Sequence, residues 1–240
     1  MTNALETFRN SMPEEMKQQL AERVAADIGR LGAIGGKDAI RITQDKTFEL
    51  PTGEVIQELS AVILQFVYRN EYYIGAYNKK AISPPACFSI SPNAASLAPS
   101  PNSPIMQVGE DSTCSQCQWN QFGSSPSGDG KACKNTVFMA VMPPDAKEDS
   151  PIWVIKTSPT GVKHFNNYVS SLARDNVPFD AVITKINFDP ALSYASLRFS
   201  PEEYLSMDTF GMMQRRRVEA ATRLAQEPDV SQFEPPKSRK

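Results

Sequence analysis

The sequence predicts an α+β chain dominated by strands: a mainly β domain with a helix at each end and one long irregular insertion. Three observations predict it. Short runs rich in Val, Ile, Phe and Tyr recur between residues 39 and 199, the composition of half-buried strands. Helical spacing of apolar residues is confined to three segments. Between the strand runs, residues 83–135 follow neither period.

The first helix is expected within residues 1–30. Ser11 with Glu14 fits a capping box, and Met16, Leu20, Val24 and Ile28 recur every four residues as one apolar stripe. Gly29, Gly32, Gly35 and Gly36 then end it, so residues 1–36 read as an appendage with a glycine-rich joint. Strands follow at 39–43 and 47–50 around a turn at 44–46. A long one is expected at 54–68, β-branched through Val55, Val62, Ile63 and Val67, with 69–71 as a turn and 72–77 as its antiparallel return. Residues 137–142, 152–157, 181–188 and 195–199 are further strand candidates.

A helix interrupts this series, with Ser158 as N-cap, Pro159 at its first position and Val162, Phe165, Val169 and Leu172 on one face. It is expected to end before Asn176 and Pro178. Ser200-Pro201-Glu202-Glu203 reads as the capping box of a last helix running to about residue 225, broken at Gly211. The final dozen residues, with Pro235 and Pro236, read as disordered. Residues 37–200 thus form the β domain, and 201–240 a helix and tail. With a helix between the third and fourth strands of a set of five, the order can be drawn as an OB-like, partly open barrel.

Composition narrows the class. No apolar run approaches the roughly 18 residues of a membrane span, and the first 20 residues carry Glu6, Glu14 and Glu15 where a signal peptide would be apolar. The expected compartment is therefore a reducing cytoplasm, that of the host cell if the chain is phage-encoded. A net charge of −2 argues against coating nucleic acid by bulk charge, and leaves room for a local basic groove.

In such a compartment, four cysteines point to metal ligands or free thiols before disulfides. Cys114-Ser115-Gln116-Cys117 is a knuckle whose two sulfurs can converge on one ion. Cys133 follows after 15 intervening residues, and Cys87 precedes the knuckle by 26. The expected site is Cys87, Cys114, Cys117 and Cys133 around one structural Zn2+. An iron–sulfur cluster uses the same ligands, and plain buried cysteines or disulfides are the bland alternatives. A structureless insertion of this length needs something besides an apolar core to hold it, which a metal would supply.

Nothing in the sequence assembles an active site. His164 is the single histidine, inside the Ser158 helix, and no P-loop, zincin or nucleophile-elbow motif is present. A non-enzyme is expected. Aromatic and basic residues interleave instead. Tyr68, Arg69, Tyr72, Tyr73, Tyr77, Lys79 and Lys80 lie on or beside one expected hairpin, and Trp119, Phe122, Lys131 and Lys134 lie in the cysteine stretch. Such sets can stack on unpaired bases and follow phosphates. The competing reading places most of these aromatics in the β core.

Pro85-Ala86-Cys87-Phe88-Ser89, Cys114-x2-Cys117-x2-Asn120-x-Phe122-Gly123-Ser124 and Gly130-Lys131-Ala132-Cys133-Lys134 resemble a group of phage and mobile-element single-stranded DNA-binding proteins. The resemblance covers residue 85 to about 199. It implies the four cysteines as ligands, an OB-like body, and a role in DNA replication or recombination with single-stranded DNA and replication or recombination proteins as partners. The basic end, Lys237-Ser238-Arg239-Lys240, departs from the acidic tail common in replication-type binders. No membrane partner is expected, and homo-oligomerisation is open. The alternative function is a phage structural or assembly protein whose zinc loop and terminal helices make subunit contacts.

Overall fold

The computed structural model describes residues 38–75, 83–106, 112–126 and 128–235. The expected N-terminal helix, Tyr77, Lys79, Lys80 and the last five residues lie outside them. The described chain is mostly β, with nine strands and two longer helices: β1 (Ala39–Ile42), β2 (Phe48–Glu49), β3 (Val55–Ile56), β4 (Leu59–Tyr72), β5 (Cys87–Ser91), β6 (Lys134–Met142), β7 (Trp153–Lys156), α1 (Pro159–Arg174), β8 (Val182–Phe188), β9 (Leu197–Tyr204) and α2 (Met207–Leu224). No helix among the described residues is long and apolar enough to cross a membrane.

The strands form one sheet in the order β3-β2-β1-β7-β6-β4-β8-β9, with β5 also on β4. β4 organises it. One edge of β4 pairs with β6 from Val62 to Glu71, while the other serves β8 through Leu59–Ala61 and β5 through Tyr68–Tyr72. A register shift between Ile63 and Gln65 adds one residue to β4, and such a bulge bends and twists a strand. Alternation steps with it: Leu59, Ala61 and Ile63, then Phe66 and Tyr68, face the inner core, while Val62, Leu64 and Val67 face outward.

The curl closes through side chains. Phe48 on β2 stacks on Phe188 at the end of β8, with ring centroids 4.6 Å apart, and Lys46 donates to the carbonyls of Asp189 and Leu192 in the β8–β9 loop. α1 fills the concave side. Its Phe165 is fully buried, edge-on to Phe66 at 4.9 Å and to Phe199 at 5.4 Å. α2 covers the convex side through Met212, Met213, Ala220 and Leu224. Its arginines are engaged in the fold: Arg215 pairs with Glu148, Arg217 with Asp180, and Arg223 with Asp38.

α1 forms as expected. The Ser158 hydroxyl accepts from the Gly161 N–H at 3.3 Å, and the helix ends at Asn176, whose positive φ of 55° lets Val177 N–H reach the Leu172 carbonyl. Three expectations are corrected. The run at 54–68 is two strands, and β4 continues through the expected turn at 69–71. Its hairpin partner is β5, inside the supposed structureless insertion, and not 72–77. Ser200-Pro201-Glu202-Glu203 does not start the last helix: those residues are the middle of β9, an edge strand where proline and charge are tolerated. α2 starts at Ser206, whose hydroxyl accepts from Thr209 N–H, and it runs unbroken past Gly211.

Candidate metal centre and its surroundings

Beyond Tyr68 the inner face of β4 leaves the apolar core, and Asn70 and Tyr72 point into a second space. Register places Ser89 of β5 opposite Asn70 and Cys87 opposite Tyr72. Two short 3-10 turns, Cys114–Gln116 and Gln118–Asn120, lie over this floor. The knuckle is held by its own backbone: Cys117 N–H donates to the Cys114 carbonyl, and Asn120 N–H to that of Cys117. Cys133, just before β6, donates its N–H to the Trp119 carbonyl at 2.8 Å.

The result is a cavity of about 20 Å³ lined by all four cysteines with Asn70, Tyr72, Ser89 and Asn120. That is room for one atom-sized guest. All four thiols are buried and none is in a disulfide. As placed, no three or more His, Cys, Asp or Glu among the described residues are drawn together as a finished ligand set; the thiols share the cavity without ligand spacing. The donor chemistry fits a thiophilic ion such as Zn2+. Burial pushes the Cys133 thiol up to about 12, and its cysteine neighbours push the same way. Burial also raises Cys114, while its side-chain hydrogen bonds with Ser89 and Asn70 pull it back.

No family model, curated protein or solved structure matches the chain. Its chemistry is therefore read from the site itself.

Polar side chains tie the knuckle to the sheet. Asn120 Nδ2 donates to the Cys114 carbonyl at 2.9 Å, Asn135 Nδ2 donates to Asn70 Oδ1 at 2.6 Å, and Lys131 Nζ donates to both Asn120 Oδ1 and Asn135 Oδ1. Ser89 Oγ lies 3.3 Å from Cys114 Sγ. Sequence reasoning gave no role to Asn70, Ser89, Asn120 and Asn135: Ser89 and Asn120 stand there only as letters of the resemblance pattern, and Asn70 and Asn135 lie in no motif.

The aromatic and basic candidates separate. Tyr72 stacks on Trp119 at 5.2 Å, forming one wall beside the cavity. Phe122 is 82% exposed, with the Lys131 ammonium 5.2 Å from its ring centre, and Lys134, next to Cys133 in the chain, is exposed. Tyr73 is 39% exposed, and its hydroxyl donates to Glu71. Two candidates have structural places instead. Tyr68 donates its hydroxyl to Asn166 on α1 and meets Phe66 edge-on. Arg69 is buried over the Phe138 ring and donates to the carbonyls of Leu224 and Gln226, closing the end of α2. Unforeseen neighbours are Phe138 and Lys156, opposite each other on β6 and β7. Lys156 pairs with Glu71 at 2.8 Å, so this strip of the sheet carries little net charge. His164 is half-buried, with Nε2 3.8 Å from Asp189.

Proposed function

We propose that Cys87, Cys114, Cys117 and Cys133 hold one structural metal ion, zinc first, and that the chain is a non-catalytic single-stranded DNA-binding protein whose contact surface stands on the loop the ion fixes. The observation that carries this reading is that four thiols, spread from residue 87 to 133, line one cavity with room for one ion, while Phe122 and Lys134 of the same cysteine stretch are exposed. When bound, the ion would supply a cross-link between β5, the knuckle and the start of β6. Four thiolates complete a tetrahedral shell, which leaves the centre no open position for substrate.

The chain's own residues supply recognition. Phe122 offers an exposed ring for a base, the Tyr72–Trp119 pair adds aromatic surface from the cavity wall, and Lys134 follows the phosphates. Tyr68 and Arg69 take no part. The sheet supports the same reading through its connectivity. The β4–β6, β6–β7, β4–β8 and β8–β9 pairings are those of an OB-type barrel in which α1 joins the third and fourth strands. A β7–β9 pair is missing among the described residues, and β1 lies parallel to β7 in its place. We read this as an OB-type barrel opened at one seam, a frequent host of single-strand binding.

Fluorescence anisotropy with a labelled single-stranded oligonucleotide, titrated at several salt concentrations, tests the function, and metal analysis tests the centre. Salt-sensitive binding and about one zinc per chain are expected. Absence of binding at low salt overturns the function, and absence of metal overturns the centre. The alternative, a phage structural or assembly protein, would use the Tyr204 and Met207 side chains, 72% and 81% exposed where β9 meets α2. A large regular oligomer without DNA affinity in sizing chromatography would favour it.

A further inference from the structure

We propose that Lys131 is a positioning residue of the metal centre: held between Asn120 and Asn135, it braces the knuckle against the sheet, and its ammonium offsets the negative charge of the four thiolates. This rests on the metal reading above.

Four thiolates around a divalent ion leave a net charge of two minus, and the cysteines that would carry it are buried. A buried net charge is costly unless it is paired or hydrogen-bonded. Ser89 Oγ, 3.3 Å from Cys114 Sγ, is one hydrogen-bonding group at the site. A nearby cation held in place adds a counter-charge. Lys131 lies two residues before Cys133, and both amides that hold its ammonium reach the centre.

Its head is fixed by two amide oxygens, Asn120 Oδ1 at 3.3 Å and Asn135 Oδ1 at 3.2 Å. Each amide uses its other end on the centre. Asn120 grips the knuckle at the Cys114 carbonyl, and Asn135 orients Asn70, the floor residue that bonds Cys114. A lysine bridging these two amides locks the lid onto the floor while bringing positive charge. No carboxylate among the described residues forms an ion pair with it, so that charge is available to the thiolates.

Lys134 makes the contrast. It is exposed, and its Nζ reaches only the Lys131 carbonyl, at 3.3 Å. Lys131 is half-buried, its ammonium 5.2 Å from the Phe122 ring centre. Of two lysines three residues apart, one is held by the amides of the centre and the other is exposed.

The test compares full-length wild type, Lys131→Met, Lys131→Arg and Lys134→Ala. Zinc affinity is read by competition with a chromophoric chelator, and the thiolate set by the charge-transfer absorption of the Co2+-substituted protein. Lys131→Met is expected to weaken zinc binding at least about 10-fold, the scale of outer-shell losses, with the cobalt band retained. Lys131→Arg should restore much of the affinity, since it keeps the charge and can reach both amides. Lys134→Ala should keep wild-type zinc affinity, since its ammonium is exposed. Unchanged zinc affinity in Lys131→Met overturns the proposal while leaving the metal centre standing. So does a loss of affinity in Lys134→Ala equal to that in Lys131→Met. A wild type that takes up neither zinc nor cobalt overturns the metal reading itself, and this inference with it.

Discussion

Arg69 makes the sharpest division between fold and binding surface, and Arg69→Met tests it. The guanidinium donates to the Leu224 carbonyl at 2.6 Å and to the Gln226 carbonyl at 2.7 Å, lies 4.4 Å from the Phe138 ring centre, and is 8% exposed. Each hydrogen bond from a charged donor contributes about 1.5–3 kcal/mol. The Leu224 carbonyl, at the end of a buried turn, would lose its partner at a cost of about 1–3 kcal/mol. Against this, the substitution removes a buried charge whose Nε has no hydrogen-bond partner, a relief of comparable size. With those last two offsetting, the net expectation is a loss of about 3–6 kcal/mol from the two hydrogen bonds. With a urea m-value of about 2–3 kcal/mol per molar, the midpoint falls by about 1–3 M. Arg69→Lys keeps the charge but not the fork, and should fall between. Urea denaturation at neutral pH measures the midpoint, and anisotropy measures DNA affinity where the variant is still folded. An unchanged midpoint would refute the structural role. So would a weaker, less salt-dependent DNA affinity in a variant of wild-type stability, because that is the signature of a lost phosphate contact.

Four further outcomes are expected. Cys114→Ser should lose the metal and expose residues 112–133 to limited proteolysis while β4 and β6 stay protected, as read by metal analysis and mass mapping of the fragments. Phe122→Ala should leave stability within about 0.5 kcal/mol, because the ring is 82% exposed, and should weaken single-strand binding by about 1–3 kcal/mol in anisotropy. Phe165→Ala empties the centre of the inner core and should cost about 3–5 kcal/mol in urea denaturation. Asp189 is held below the usual carboxylate range by the Arg198 hydrogen bond and then by the Ala191 N–H. Its contribution is therefore present above the unfolded value near 3.9 and lost as pH falls through the lower folded value. The stability gap between wild type and Asp189→Asn, measured from pH 7 down to 2.5, should be widest at neutral pH and close below about pH 4.

What the sequence revealed follows from how local each signal is. α1 was legible because Ser158, Pro159 and the Val162–Phe165–Val169–Leu172 stripe are neighbours within one helix. The start of α2 was misread because Ser200-Pro201-Glu202-Glu203 satisfies a helix cap locally. The pairing of Lys185 with Ser200 and Thr184 with Pro201 across β8 and β9 decides those residues instead. β5 hid among prolines and serines, since five residues, Cys87–Ser91, make a strand only beside β4. The cysteines were visible through spacing, but the amides that brace them come from β4, β6 and the knuckle, and nothing in the chain marks them as partners. Arg69 looked like a phosphate contact because the helix end it closes lies 155 residues away.

The parallel pairing of β1 with β7 imposes a timetable on synthesis. Ala39 pairs with Val154, 115 positions later in the chain. At about 5–20 residues per second, β1 waits about 6–20 s for its partner to be made. Cys87 waits only 46 positions for Cys133, so all the cysteines that line the cavity are made before β7 is. Until β7 emerges, the β1 edge that it pairs with stays open, and an open strand edge is a template for wrong pairing. β8 and β9 come later still, and with them Phe188, the ring that stacks on Phe48. The N-terminal strands are thus the part of the sheet that waits longest for its neighbours, and the part of the nascent chain with most reason to need shielding.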